Sequence, residues 1–172
     1  EHAFPAARDD AMSVYCDLQN HPAAGTTVVA ESAGGNPPPG LVLAVAAASN
    51  PPPIELALLS PSPDLTHSGD SPCTPAALDP TLSVEHFLRP ASLAYAGYQP
   101  AESPEISPLF ADFSCDMPPT VISSGTRDLL LSDSVRIAAK LREQGSQVDL
   151  RVAEGLWHVF EWYTELPEAA ES

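Results

Sequence analysis

Three polar residues of the 172-residue chain stand where chemistry could be done: Ser32, Asp128 and His158. Ser32 lies in Ala30-Glu31-Ser32-Ala33-Gly34-Gly35, where a β-branched run gives way to small and then apolar residues. A serine on a sharp strand-to-helix turn exposes its hydroxyl, and the crowded backbone there asks for small residues two before and two after it. Gly34 meets the later requirement, and Ala30 departs from the earlier one by a methyl group. A helix opening beyond Ser32 would offer the Ala33 N–H and a partial positive charge to a developing oxyanion. Further on, Ser123-Ser124-Gly125-Thr126-Arg127-Asp128 places an acid just past another strand, and Gly155-Leu156-Trp157-His158-Val159-Phe160 places a histidine just past the next. Taken singly, these are more often a turn, a loop cap and a packing residue. In the order serine, acid, histidine, each at the end of a different strand, they suit nucleophilic acyl transfer. Asp133 competes with Asp128 for the acid role, although its place is that of a residue opening the following helix.

The elements that must position these residues follow from pattern. Pro5 to Leu18 reads as a helix, with Ala7, Ala11, Val14, Tyr15 and Leu18 at helical spacing, ended by Asn20-His21-Pro22. Thr26 to Ala30 and Ile54 to Leu59 read as buried strands, with an apolar helix from Leu41 to Ala48 between them. Pro37-Pro38-Pro39 should delay or break that helix, since prolines lack N–H donors and clash with preceding carbonyls. From Pro61 to about Ser107 the pattern loosens, with one helical stretch over Val84 to Tyr95. Thr120 to Ser123 is a strand, Asp133 to Gln144 an amphipathic helix capped by Ser132 and stopped by Gly145, and Val148 to Val152 another strand. Val159 to Tyr163 should open a helix. Strand and helix alternating in this way predict a parallel sheet with helices on both faces.

Composition narrows the partners. Seven Lys and Arg stand against 23 Asp and Glu, a formal charge of −16. Such a surface repels phosphate backbones and anionic lipid heads, which argues against nucleic acid and against stable membrane insertion. Three widely separated cysteines, Cys16, Cys73 and Cys115, read as free thiols. The expected location is cytoplasmic, and homo-oligomerisation is left open.

The residues also carry a family likeness. Glu31-Ser32-Ala33-Gly34-Gly35-Asn36 resembles the G-[DE]-S-A-G-G-N block of the hormone-sensitive-lipase-like (bacterial family IV) esterases. Ser60-Pro61 with Asp64-Leu65-Thr66, Ile106-Ser107-Pro108-Leu109, the run from Gly125 to Ser134, and Trp157-His158-Val159-Phe160 are similar to further blocks of that family. The resemblance covers essentially the whole chain. It implies an α/β-hydrolase fold apparently lacking the N-terminal strands and the last helix. Residues 1–172 would then form a partial catalytic domain, with a cap-like insert over about 65–103. It also implies Ser32 as nucleophile, Asp128 as acid, His158 as base and Ala33 as oxyanion donor, acting on a small-molecule ester of short to medium acyl chain with no cofactor and no metal. Two departures stand out: the family's H-G-G-G oxyanion loop has no counterpart here, and Ser62 occupies a position where the family usually has tryptophan. The alternative is a non-catalytic ligand-binding or inactive truncated member of the same fold. Gibberellin receptors resemble this family but have lost the triad histidine, whereas His158 is present here.

Overall fold

The structure is a computed structural model that describes residues 2–20, 25–73, 79–113 and 117–171. Its centre is a four-stranded parallel sheet in the order β1-β2-β3-β4, with β1 at Thr27–Glu31, β2 at Glu55–Leu59, β3 at Thr120–Gly125 and β4 at Val148–Ala153. Register runs Val28 to Leu56, Leu58 to Ile122 and Ile122 to Leu150. These residues point to one face, where they meet Val42 from α2 (Pro37–Ala47) and Ile137, Ala138 and Leu141 from α4 (Leu131–Glu143). That cluster is the main core. Cutting one of its fully buried side chains, Ile122 for example, to alanine would cost roughly 2–5 kcal/mol. Helix α1 (Ala6–Leu18) packs outside α2 through Tyr15, whose hydroxyl donates to the Pro51 carbonyl at 2.9 Å. On the other face the turn Phe160–Trp162 reaches Ser123 through Glu161, and α5 (Pro167–Glu171) shares a surface hollow with Arg151 and Ala153.

Three local expectations are corrected. The prolines at 37–39 do not delay α2; they form its first turn. First-turn N–H groups have no intrahelical partner to lose, and a fixed φ suits the start of a helix. Ser132 does not cap α4: the helix starts at Leu131, and the Ser132 hydroxyl shares a 2.7 Å hydrogen bond with that of Ser71. The first-turn N–H of Ser132 donates to Ser71 Oγ at 2.9 Å, and just ahead of the helix Asp128 Oδ1 accepts from the Leu130 N–H at 2.9 Å. Val159 to Tyr163 holds a single 3-10 turn over Phe160–Trp162, because Val159 itself is left-handed at φ 47. The other elements fall within a few residues of expectation, and Gly145, left-handed at φ 91, follows the end of α4. Cys16 and Cys73 are free, while Cys115 and the His21-Pro22 part of the expected helix stop lie outside the described residues.

Between β2 and β3 the chain makes a long excursion. It holds a wide helical turn at Val84–Leu88 that runs into α3 (Arg89–Ala96), and short turns at Ser71–Cys73 and Pro108–Phe110. Asn36, buried at the start of α2, ties this segment down by donating to the Ser62 and Ile106 carbonyls at 3.1 and 3.0 Å. No helix among the described residues is long and apolar enough to cross a membrane.

Candidate active site

All four strands point their C-terminal ends at one region, the usual place for a site in an open parallel sheet. β1 ends there in Ser32, which opens a 3-10 turn over Ser32–Gly35 with φ 48. A non-glycine residue in this conformation is strained by about 1–3 kcal/mol, a cost such sites sustain when their surroundings fix them. The tight approach of this turn falls at Gly35 rather than Gly34. A Cβ at Gly35 would lie 2.7 Å from the Pro61 Cβ, while one at Gly34 would meet nothing within 4 Å.

The acid and the base are held by interlocked loops. Gly125 ends β3 directly beneath the strand-to-histidine loop, so a Cβ there would collide with the Leu156 carbonyl. That same carbonyl accepts from the Arg127 N–H at 2.8 Å, and the Thr126 hydroxyl accepts from the Gly155 N–H at 2.7 Å. The Gly-Thr-Arg-Asp run is therefore a clasp: one residue makes room, and the next two fasten the loop carrying His158.

Within this frame the three candidate residues meet. His158 Nε2 lies 2.8 Å from Ser32 Oγ, and His158 Nδ1 lies 3.1 Å from Asp128 Oδ1. Asp128 is buried, and Ser124 Oγ donates to its Oδ2 at 2.9 Å. Burial by itself would raise its pKa. Hydrogen bonds from His158, the Leu130 amide and Ser60, together with the charge of His158, outweigh that and hold the carboxyl below its usual range. An anionic Asp128 can only accept, so the imidazole proton sits on Nδ1 and Nε2 is left to accept from the Ser32 hydroxyl. Asp133 is placed elsewhere. It faces Asp64 and Arg136 beneath the turn at Gly69, and neither of its oxygens completes a hydrogen bond.

Two cavities flank Ser32. One, of about 100 Å³, lies between the Ser32 turn and α3, walled by Ala33, Leu65, Leu88 and Tyr95, with Ser62 and Ser92 on its lining. The other, of about 250 Å³, opens beside His158 and is bounded by Glu31, Phe87, Trp162 and Tyr163. Sequence reasoning missed the two serines that serve Asp128, Ser60 and Ser124. Ser60 carried one signal, its place beside Pro61 in a recognisable block, but nothing there discloses that the side chain turns inward.

Comparison with known proteins identifies the fold and the family. Residues 1–162 match the family model for the alpha/beta hydrolase fold. An esterase of Acinetobacter venetianus is 30% identical over the whole chain, which spans 57% of that protein. Among solved structures, a hormone-sensitive lipase from a metagenome library is 32% identical with a TM-score of 0.91, over 99% of this chain and 58% of that one. EstE5, whose crystal was soaked with p-nitrophenyl butyrate, is 28% identical with a TM-score of 0.91, over 99% and 57%. Esterase E25 is 36% identical with a TM-score of 0.85, over 93% and 49%. The chain therefore spans about half the length of these relatives, from 49% to 58%.

Proposed function

Because the chain belongs to the α/β-hydrolase fold family and stands there with the hormone-sensitive-lipase-like esterases, we propose that it is the catalytic portion of a carboxylic ester hydrolase that works through Ser32, His158 and Asp128 on short to medium acyl esters. The observation that carries the reading is the pair of contacts meeting at His158, 2.8 Å to Ser32 Oγ and 3.1 Å to Asp128 Oδ1.

In this reading His158 Nε2 takes the Ser32 proton as Oγ attacks the ester carbonyl. The tetrahedral oxyanion is met by the Ala33 N–H at the start of the 3-10 turn. As the carbon–oxygen bond to the alcohol breaks, the imidazolium returns its proton to the leaving oxygen. Water then attacks the acyl-enzyme with His158 again as base, and the acid departs with Ser32 restored. Asp128 keeps the ring oriented and stabilises its charged form. The smaller, mainly apolar cavity suits a short acyl chain, and the larger one beside His158 suits the alcohol side. Residues of about 65–103 form most of the wall over the smaller cavity and serve as a cap. The soaking of EstE5 with p-nitrophenyl butyrate makes that ester the first substrate to try.

The test is covalent labelling with a fluorophosphonate, which reports a reactive serine without requiring turnover. Ser32 should be the residue labelled, and Ser32→Ala should abolish the label. Labelling at another serine, or a label that survives Ser32→Ala, would refute the assignment. A folded chain that never labels would favour the ligand-binding or inactive alternative.

A further inference from the structure

β2 ends in the same way as β1. Ser60 follows Leu59 with φ 47, as Ser32 follows Glu31 with φ 48. Non-glycine residues avoid that left-handed conformation, and a residue ahead of a proline, as Ser60 is ahead of Pro61, favours extended backbone. Such strain concentrates at functional sites. The turn at Ser32 sends its side chain to a cavity, while the turn at Ser60 leaves its side chain fully buried.

The Ser60 hydroxyl has two partners there. Its oxygen accepts from the Val159 N–H at 3.0 Å, and its side chain is among the groups that lower the pKa of the Asp128 carboxyl. A hydroxyl has one proton and two lone pairs, so with a lone pair taken by Val159 the proton is left free to turn toward Asp128. Val159 directly follows His158 and is itself left-handed at φ 47, a conformation that β-branched residues avoid. A single buried hydroxyl therefore joins the acid to the backbone that carries the base.

We infer that Ser60 is a positioning residue for the Asp128–His158 couple, its hydroxyl drawing charge from the Asp128 carboxylate and anchoring the backbone that aims the His158 ring at Ser32. The inference rests on the triad reading proposed above. Loss of the Ser60 proton would leave the carboxylate more basic and strengthen its hold on the imidazolium, so the base would lose its proton at higher pH. Loss of the Ser60 oxygen would leave the buried Val159 N–H unpaired and loosen the ring's aim. Other ionisable groups surround the couple: Glu31 in the cavity beside His158, Asp79 bonded to the Leu129 amide, Asp133 on α4, Arg127 beside Asp128, and Glu161 bonded to Ser123. All of them persist in a Ser60 variant, so a changed pH response reports Ser60 itself.

The experiment follows the rate of fluorophosphonate labelling at Ser32 against pH, in the wild-type chain, Ser60→Ala and Ser60→Cys. Ser60→Ala should move the midpoint up by about half a pH unit or more and lower the plateau by about tenfold to a hundredfold. Ser60→Cys, which keeps a weak donor, should fall between Ser60→Ala and wild type. A lowered plateau with an unmoved midpoint, or a profile like the wild type, would overturn the inference. Failure of both variants to fold would overturn it too, by making Ser60 a structural residue only. If the wild-type chain does not label at Ser32, the triad reading itself falls; if it labels and the midpoint does not move in Ser60→Ala, only this inference does.

Discussion

Replacing Asp133 by asparagine should make the protein more stable at neutral and alkaline pH and remove much of its stability loss between pH 4 and 8. Asp133 sits on the first turn of α4 with its side chain 1% exposed, no hydrogen bond completed at either oxygen, and Arg136 no closer than 3.8 Å. Burial and the nearby Asp64 charge push its pKa up to about 8, and Arg136 and the Asp64 backbone amide, which comes near without completing a well-formed hydrogen bond, offset this only in part. In the unfolded chain the same carboxyl releases its proton near about 3.9. Between those values the native state holds a proton that the unfolded state has lost. The contribution of Asp133 is thus fully present below pH 4 and is lost at up to about 1.4 kcal/mol per pH unit as pH rises toward 8. Asp64 and Asp128 act in the opposite sense and in another window. Their pKa values are lowered, so what they contribute is lost only as pH falls below the ordinary carboxylate range.

Asparagine keeps the shape and cannot ionise in either state. At pH 7 that removes a linkage penalty on the order of 4 kcal/mol, against about 1–3 kcal/mol for burying an amide whose donors have no acceptor. The net expectation is a gain of about 1–3 kcal/mol at pH 7 to 8, and no gain or a small loss at pH 4.5. Urea denaturation of both proteins at several pH values measures this directly. Self-repulsion of a chain carrying −16 also grows with pH but is nearly common to both, so the difference between them isolates Asp133. A variant less stable than wild type across the whole range, or a difference that does not change with pH, would refute the reasoning.

Three further outcomes are expected. Asp128→Asn should slow labelling of Ser32 by about 10³–10⁴-fold, while Asp133→Asn should keep it within a few-fold of wild type; equal losses would show that the acid is misassigned. Gly125→Ala should force the Leu156 carbonyl away and strain the clasp under His158, costing about 1–3 kcal/mol or more in urea denaturation and slowing Ser32 labelling in parallel; an unperturbed variant would mean the loop is free to move. The chain of residues 1–172 should self-associate with rising concentration in light scattering, because among the described residues β1 pairs only with β2 and Val29 beside that edge is 67% exposed; Val29→Lys should reduce the association, and a monomer at high concentration would count against an open edge.

That Ser32, Asp128 and His158 would come together could be read from the sequence because the proposed chemistry restricts residue type and chain order, and because each follows a strand whose β-branched residues mark it. The strands were legible for the same reason: Thr27-Val28-Val29 and Val121-Ile122 suit a buried sheet wherever it occurs. What could not be read depends on distant segments meeting. Pro37 to Pro39 signal a break only if they fall inside a helix, and the sheet places the end of β1 so that they fall in its first turn, where they have nothing to break. Ser132 has the composition of a cap, but Ser71, 61 positions away, claims its hydroxyl and also accepts its N–H in the first turn. Asp133 looks like an ordinary first-turn acid with a favourable dipole, yet the segment carrying Asp64 and Gly69 closes over it and turns a stabilising charge into a buried one. In each case the residue type was read correctly and the neighbour was unknown. The positions most worth testing are therefore those where local preference and tertiary surroundings disagree. Ser32, Ser60 and Val159 share that property: of the five non-glycine residues held left-handed among the described residues, Ser49 and His67 being the others, these three meet at His158 or at Val159 next to it. Left-handed residues also occur elsewhere in the scaffold, at Ser49 and His67, but three of them gathered around one imidazole is what a site that must aim one nitrogen at one oxygen would retain.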